Sequence, residues 1–319
     1  MENEEKPTIA VSSCLLGKLV RYDKNHCQDK WILQELSKYA ELVPICPEME
    51  MGLGVPREEI HLYFNKGEKD IVRLKNKYEG SDLTDLAEET YKRMNTTLFE
   101  KSIDGFILTK KSPSCGLDNV KTIQKDDPSV VTRSVGLFAK NILENFPSTP
   151  TIDSGRILNK SLRENFLKSV FAHYRFRTLE KSPSTFQEFH KKYKYILMDH
   201  STINLKKLGQ IVADATKETL NTSLNNYYTL FFETLSLEAT PKTRCNTLQH
   251  LMGYFKKNLE AHEKAEVLSL LNDYREDIVS YDVLLKYFDL LTKKYEAPYL
   301  LTQYYFAPCP KGLKLLKEI

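Results

Sequence analysis

Several signatures that would settle a function quickly are missing from this sequence. No two cysteines are spaced as CxxC, so the local mark of a zinc site or a ferredoxin-type cluster is absent. No apolar run approaches the ~20 residues needed to cross a bilayer, so no membrane association is expected. The opening MENEEKPTIAV is acidic and has neither a basic n-region nor an apolar h-region, so no secretory signal is read there. A cytoplasmic location is the expectation. No internal repeat or low-complexity linker stands out. Six cysteines scattered through 319 residues do not make a disulfide framework. In a reducing compartment they are buried hydrophobes, metal ligands or reactive thiols.

What is present divides into two patterns. A chain of 319 residues suggests two domains, because single cores rarely grow past ~250 residues. Residues 8 to about 155 alternate strand-like and helix-like segments. TIAVS and DGFILT (104–109) read as buried strands, and AELVPICPE (40–48) as a strand ending in two prolines. DKWILQELSKY (29–39), residues 81–102 with Ser81 as N-cap, and residues 129–146 read as helices. This alternation predicts an α/β, Rossmann-like domain over residues 1–155, with a mostly parallel sheet and helices on both faces. From about residue 159 only helical periodicity remains, so residues 156–319 are expected to form an all-α domain. In it, Ser184 and Gln187 read as a capping box.

Charge is divided unevenly. Residues 1–150 hold 21 Lys and Arg against 24 Asp and Glu, and the remainder 25 against 19, giving −3 and +6. A basic second half suits a polyanionic partner, or is simply a lysine-rich helical surface.

Three cysteines share a context that the others lack. Cys14, Cys46 and Cys115 each follow a predicted strand and lie beside glycine or proline, in SSCLLG, PICPE and SPSCG. In an open parallel sheet, ligands bind beyond the carboxyl ends of the strands, so these segments can meet at one point. Three converging thiolates suit an iron–sulfur cluster or a thiophilic metal. Buried turn cysteines or a redox-active thiol would leave the same pattern. Glu48, two residues past Cys46, is a candidate general acid or base in the same crevice. Ser112 and Ser114 bring hydroxyls next to Cys115. Arg57 could face an anion, and Lys110 and Lys111 a phosphate.

VSSCLLG with VRYD, CPEMEMGLGVPR and KKSPSCG together resemble the three signature segments of the TudS-type thiouracil desulfidase family, over residues 8–157. FHKKYKYILMDHS, NTLQHLMGYFKKNL, EKAEVLSLLNDYRE and PYLLTQYYFAPCP resemble the YbgA-type helical domain. Fused in this order, the two resemble bacterial tRNA 4-thiouridine desulfidases. The resemblance implies a 4Fe-4S cluster held by Cys14, Cys46 and Cys115 with one iron open. It also implies catalytic roles for Glu48 and Ser112. Ser13, Arg57, Lys111 and Ser114 are the candidates to touch substrate. The implied partner is tRNA containing 4-thiouridine, with Lys191, Lys192, Lys194, Lys256 and Lys257 as candidate RNA contacts; no obligate protein partner is evident. Free thiouracil or 4-thiouridine monophosphate is the alternative substrate. A non-catalytic iron–sulfur RNA-binding protein or sensor, or a zinc protein, are the competing classes.

Overall fold

The structure, a computed structural model, describes residues 6–313. The chain divides into two compact units, with the boundary between Tyr174 and Arg175.

The first unit is built on two four-stranded sheets. Strands β1 (Thr8–Ser12) and β2 (Glu41–Ile45) belong to one sheet, separated by the short helix α1 (Lys30–Gln34). A four-residue helix, α2 (Pro47–Glu50), follows β2, and strands β3 (Ile60–Phe64) and β4 (Arg73–Asn76) start the other sheet. Helix α3 (Thr84–Glu100) leads into β5 (Gly105–Leu108), and β6 (Val120–Gln124) and β7 (Val131–Ser134) complete the second sheet. Helix α4 (Leu137–Asn145), strand β8 (Thr151–Asp153) and helix α5 (Lys160–Arg177) close the sequence of elements. The first sheet runs β2-β1-β5-β8 and is parallel throughout, with Ile9 opposite Leu42 on one side and Gly105 on the other. The second runs β4-β3-β6-β7, with a parallel central pair and antiparallel flanks.

Alternation along β5 sends its residues to opposite faces. Phe106 and Leu108 join Ala10, Val43 and Ile45 in a core completed by Ala87, Tyr91 and Met94 of α3 and Phe138 and Ile142 of α4. On the other face, Gly105 lets α5 approach: a Cβ there would lie 2.6 Å from Val170 Cγ2. Asp104 anchors both ends of this contact, accepting from Thr8 N at 2.9 Å and meeting His173 Nδ1 at 2.9 Å. These contacts carry the first unit past residue 155 to Tyr174.

Among its described residues the second unit is entirely helical. Its helices are α6 (Pro183–His200), α7 (Thr202–Ala213), α8 (Leu220–Ser236), α9 (Pro241–Phe255), α10 (Ala261–Arg275), α11 (Tyr281–Lys294) and the short α12 (Pro298–Leu301). Phe186, Phe189 and Tyr193 of α6 pack with Tyr227 and Phe231 of α8 as an aromatic core.

The α/β and all-α division therefore holds, with local corrections. Residues 129–146 are not one helix: β7 ends at Ser134, and α4 starts only after Gly136. A Cβ on Gly136 would stand 2.5 Å from Ser114 O, so the chain passes too close there for a continuous helix with side chains. The 29–39 segment is α1 followed by a separate 3-10 turn, Leu36–Lys38. Helix α3 starts three residues after Ser81, with Asp82 Oδ1 accepting from Thr84 N at 2.8 Å. The capping box of α6 is Ser182 with Thr185, since Pro183 fits the first helical position and moves the cap ahead of it.

Candidate active site

The parallel sheet changes direction at β1: the chain steps to β2 on one side, then returns to β5 on the other. Such a switch point opens a crevice beyond the strand ends. Three loops fill it.

After Ser12 the chain makes a 3-10 turn, Ser13–Leu16, closed by Gly17 at φ +80°, where glycine alone is unstrained. Its N–H donates to Cys14 O at 3.3 Å. After Ile45, Cys46 caps α2 with Pro47 at the first position, which puts Glu48 in the first turn. After Leu108, Thr109 to Lys111 lead to Ser112. The Ser112 Oγ accepts from Ser114 N at 3.2 Å and Cys115 N at 3.1 Å, folding the loop so that Cys115 turns inward.

These loops enclose a cavity of about 310 Å³. Cys14, Cys46 and Cys115 line it together with Glu48, Ser112, Ser13, Arg57 and Lys111. With Lys110, which also lines it, nine of the residues singled out in this domain thus share one space. Ser114 does not line it; it is fully buried, and its carbonyl accepts from Ala139 N at 2.9 Å. Its place is in the wall, where the turn made by Ser112 has rotated it away.

The thiols sit in unlike settings. Burial, reinforced by the Glu48 carboxylate, pushes the Cys46 thiol up to about 12. Its Sγ donates to Glu48 Oε2 at 3.5 Å. Burial raises Cys115 well above its ordinary range, with Glu48 adding to the effect and the Ser12 and Ser112 hydroxyls opposing it. Cys14 is raised by a hydrogen bond shared with Cys27 and by burial, while its Sγ also lies 2.9 Å from Thr109 Oγ1. The same contact with Cys14, helped by the Arg21 guanidinium, brings Cys27 down to about 6. Arg57 is partly a brace, its Nη1 donating to Val20 O at 2.8 Å and Gly54 O at 3.0 Å. Among the described residues no group of three His, Cys, Asp or Glu is gathered tightly enough for a single metal ion. The three thiols instead stand around a shared space.

Sequence reasoning on single residues missed Thr109, Ser12, Arg21 and Tyr22, all of which line the cavity. Arg21 and Tyr22 lie inside the VRYD segment that carried the resemblance. Thr109 had only its position one residue past β5.

In the second unit, Lys191 and Lys192 pair with Glu188 at 3.5 and 3.9 Å. Lys191 Nζ also sits 5.6 Å from the Tyr299 ring centre and Lys194 Nζ 5.4 Å from that of Tyr195. Lys256 and Lys257 are exposed after α9. His190 Nδ1 meets Tyr227 Oη and His200 Nδ1 meets Leu237 O, whereas His250 lies on the exposed face of α9. Cys245 and Cys309 are buried.

Residues 9–154 match the 2-thiouracil desulfurase family. Residues 194–310 match a family described as a protein of unknown function, DUF1722. The uncharacterized protein YbgA of Escherichia coli (strain K12) is 28% identical over 116 residues, which is 35% of this chain and 69% of YbgA. A solved structure described as the 4Fe-4S-dependent thiouracil desulfidase TudS is 21% identical, with a TM-score of 0.38; the match covers 50% of this chain and 98% of that one. As its motifs implied, the chain matches the 2-thiouracil desulfurase family over residues 9–154 and the DUF1722 family over residues 194–310.

Proposed function

We propose that this protein is a desulfidase that removes sulfur from a thiolated pyrimidine, 4-thiouridine in tRNA, with a 4Fe-4S cluster held by Cys14, Cys46 and Cys115. The observation that carries this reading is the meeting of three thiols with Glu48 and Ser112 in one cavity at a sheet switch point. Three soft donors around a shared space fit a polynuclear iron–sulfur group. When bound, such a cluster supplies a Lewis-acidic iron for the substrate's sulfur.

The remaining steps belong to the chain. Glu48, 9% exposed, takes a proton from the water that attacks the sulfur-bearing carbon. Its distance to Cys46 Sγ keeps that base at the thiol-lined wall. The Ser112 Oγ already accepts two backbone N–H groups, so its O–H is left to donate to the pyrimidine or to the water. Arg21, Lys110 and Lys111 line the same cavity and meet the substrate's phosphate. The net +6 of residues 151–319 supports a polyanionic substrate.

A free thionucleotide is the second reading, since the cavity is of small-molecule size. Anaerobic reconstitution followed by parallel rates on thiolated tRNA and 4-thiouridine monophosphate separates the two. Loss of thiouridine absorbance with release of sulfide is expected, faster on tRNA. Glu48→Gln should keep the cluster absorbance and lose roughly 10²–10⁴ in kcat, the usual range for a general acid–base group. A fully loaded protein that leaves the thiouridine absorbance intact would sink the proposal.

A further inference from the structure

Cys27 does not line the cavity, and no step above uses it. It is nevertheless fixed beside Cys14. Its N–H donates to Cys14 O at 3.1 Å, and two residues later Asp29 N–H donates to Leu15 O at 2.9 Å. Standard bond lengths and one such link keep the two α-carbons within about 7 Å of each other. Disulfides span α-carbons about 4.4–6.8 Å apart. The intervening loop is tied at its tip as well, with Arg21 N donating to Asn25 O at 3.2 Å and Lys24 N to Arg21 O at 3.0 Å. The base of the loop therefore holds two cysteines in register. Both are free thiols and only half-buried, unlike Cys115, Cys245 and Cys309.

We propose that Cys14 and Cys27 are an oxidisable dithiol, a modification site that a small-molecule disulfide of the glutathione class closes when the protein holds no cluster. This rests on the reading of Cys14 as a cluster ligand. The Cys27 thiolate attacks the small disulfide, forming a mixed disulfide and releasing one thiol. The Cys14 thiolate then attacks the Cys27 sulfur, forming the Cys14–Cys27 bond and releasing the second thiol. The protein loses two electrons and two protons, and the small disulfide gains them. The consequence is reversible withdrawal of one of the three ligands, undone by a reducing thiol.

The test treats full-length, cluster-free protein with oxidised glutathione, then blocks free thiols under denaturing conditions and maps the peptides by mass. The expected result is a peptide pair joined through Cys14 and Cys27, with two of the six thiols lost. Cluster reconstitution should be lost in the oxidised protein and return after dithiothreitol. Cys27→Ser should load cluster like the wild type when reduced and give no joined pair. A wild-type map showing only glutathione adducts, or Cys14 joined to Cys46 or Cys115, overturns the proposal. So does failure of reduced Cys27→Ser to load cluster beside a wild type that loads, since Cys27 would then be a ligand. If the reduced wild type takes up no cluster at all, the desulfidase reading falls, and the peptide map still decides the dithiol.

Discussion

Burial brings the His190 imidazole down to about 4, with Lys194 contributing, and its Nδ1 meets the Tyr227 hydroxyl at 3.0 Å. The folded chain therefore keeps this ring neutral where an unfolded one would take a proton, below about pH 6.5. Because the unfolded state binds more protons in that window, stability falls as pH drops from about 6.5 to 4, by about 3 kcal/mol in all. Denaturant unfolding at pH 7 and pH 5 should show the loss, and His190→Gln should flatten it; an equal slope in the variant assigns the loss to other groups. Single residues were readable in sequence where their role followed from the strand before them. Cys14, Cys46 and Cys115 come two, one and seven residues past β1, β2 and β5, so strand ends located the thiols. Thr109 was not readable, because its 2.9 Å contact with Cys14 exists only once β1 and β5 pair across 95 residues. Ser114 misled for the opposite reason: adjacency to Cys115 says nothing about direction, and the Ser112 hydroxyl sets the turn.

At the scale of elements, close approach decides what the chain tolerates. Gly105 sits under Val170 and Phe166, so Gly105→Leu forces α5 away from β5 and should cost about 1–3 kcal/mol, the usual penalty of overpacking. Gly136→Ala meets backbone rather than a flexible side chain, so the loop bearing Ser112 and Cys115 must move. A lowered urea midpoint at unchanged slope checks the first. For the second, loss of cluster uptake in a protein that still unfolds cooperatively is expected. The long elements were legible from periodicity, since α3, α6 and α8 repeat apolar residues every three or four positions. The second sheet was not. Its strands are four or five residues long, and β7 is half-exposed on alternate positions with only Val131 apolar, which leaves no run to read. The apolar residues of α4 then extended the helical pattern backward across it.

For the whole molecule, the acidic first part and basic second part make an electrostatic prediction. Replacing Lys256 and Lys257 by glutamate should weaken binding of thiolated tRNA and lower the salt dependence of log K by roughly 1–2, if each lysine meets one phosphate. An unchanged salt slope removes both from the interface. Lys191 and Lys192 should matter less, because Glu188 already offsets their charge. The order β2-β1-β5-β8 also bears on how such a site comes into being. A chain emerging from its N-terminus can pair β1 with β2 early, but the third thiol arrives 69 residues after Cys46 and has no seat until β5 docks against the free edge of β1. On the proposed reading, the three thiols can hold a cluster together only once β5 has paired with β1, whereas Cys14 and Cys27 are neighbours within one loop.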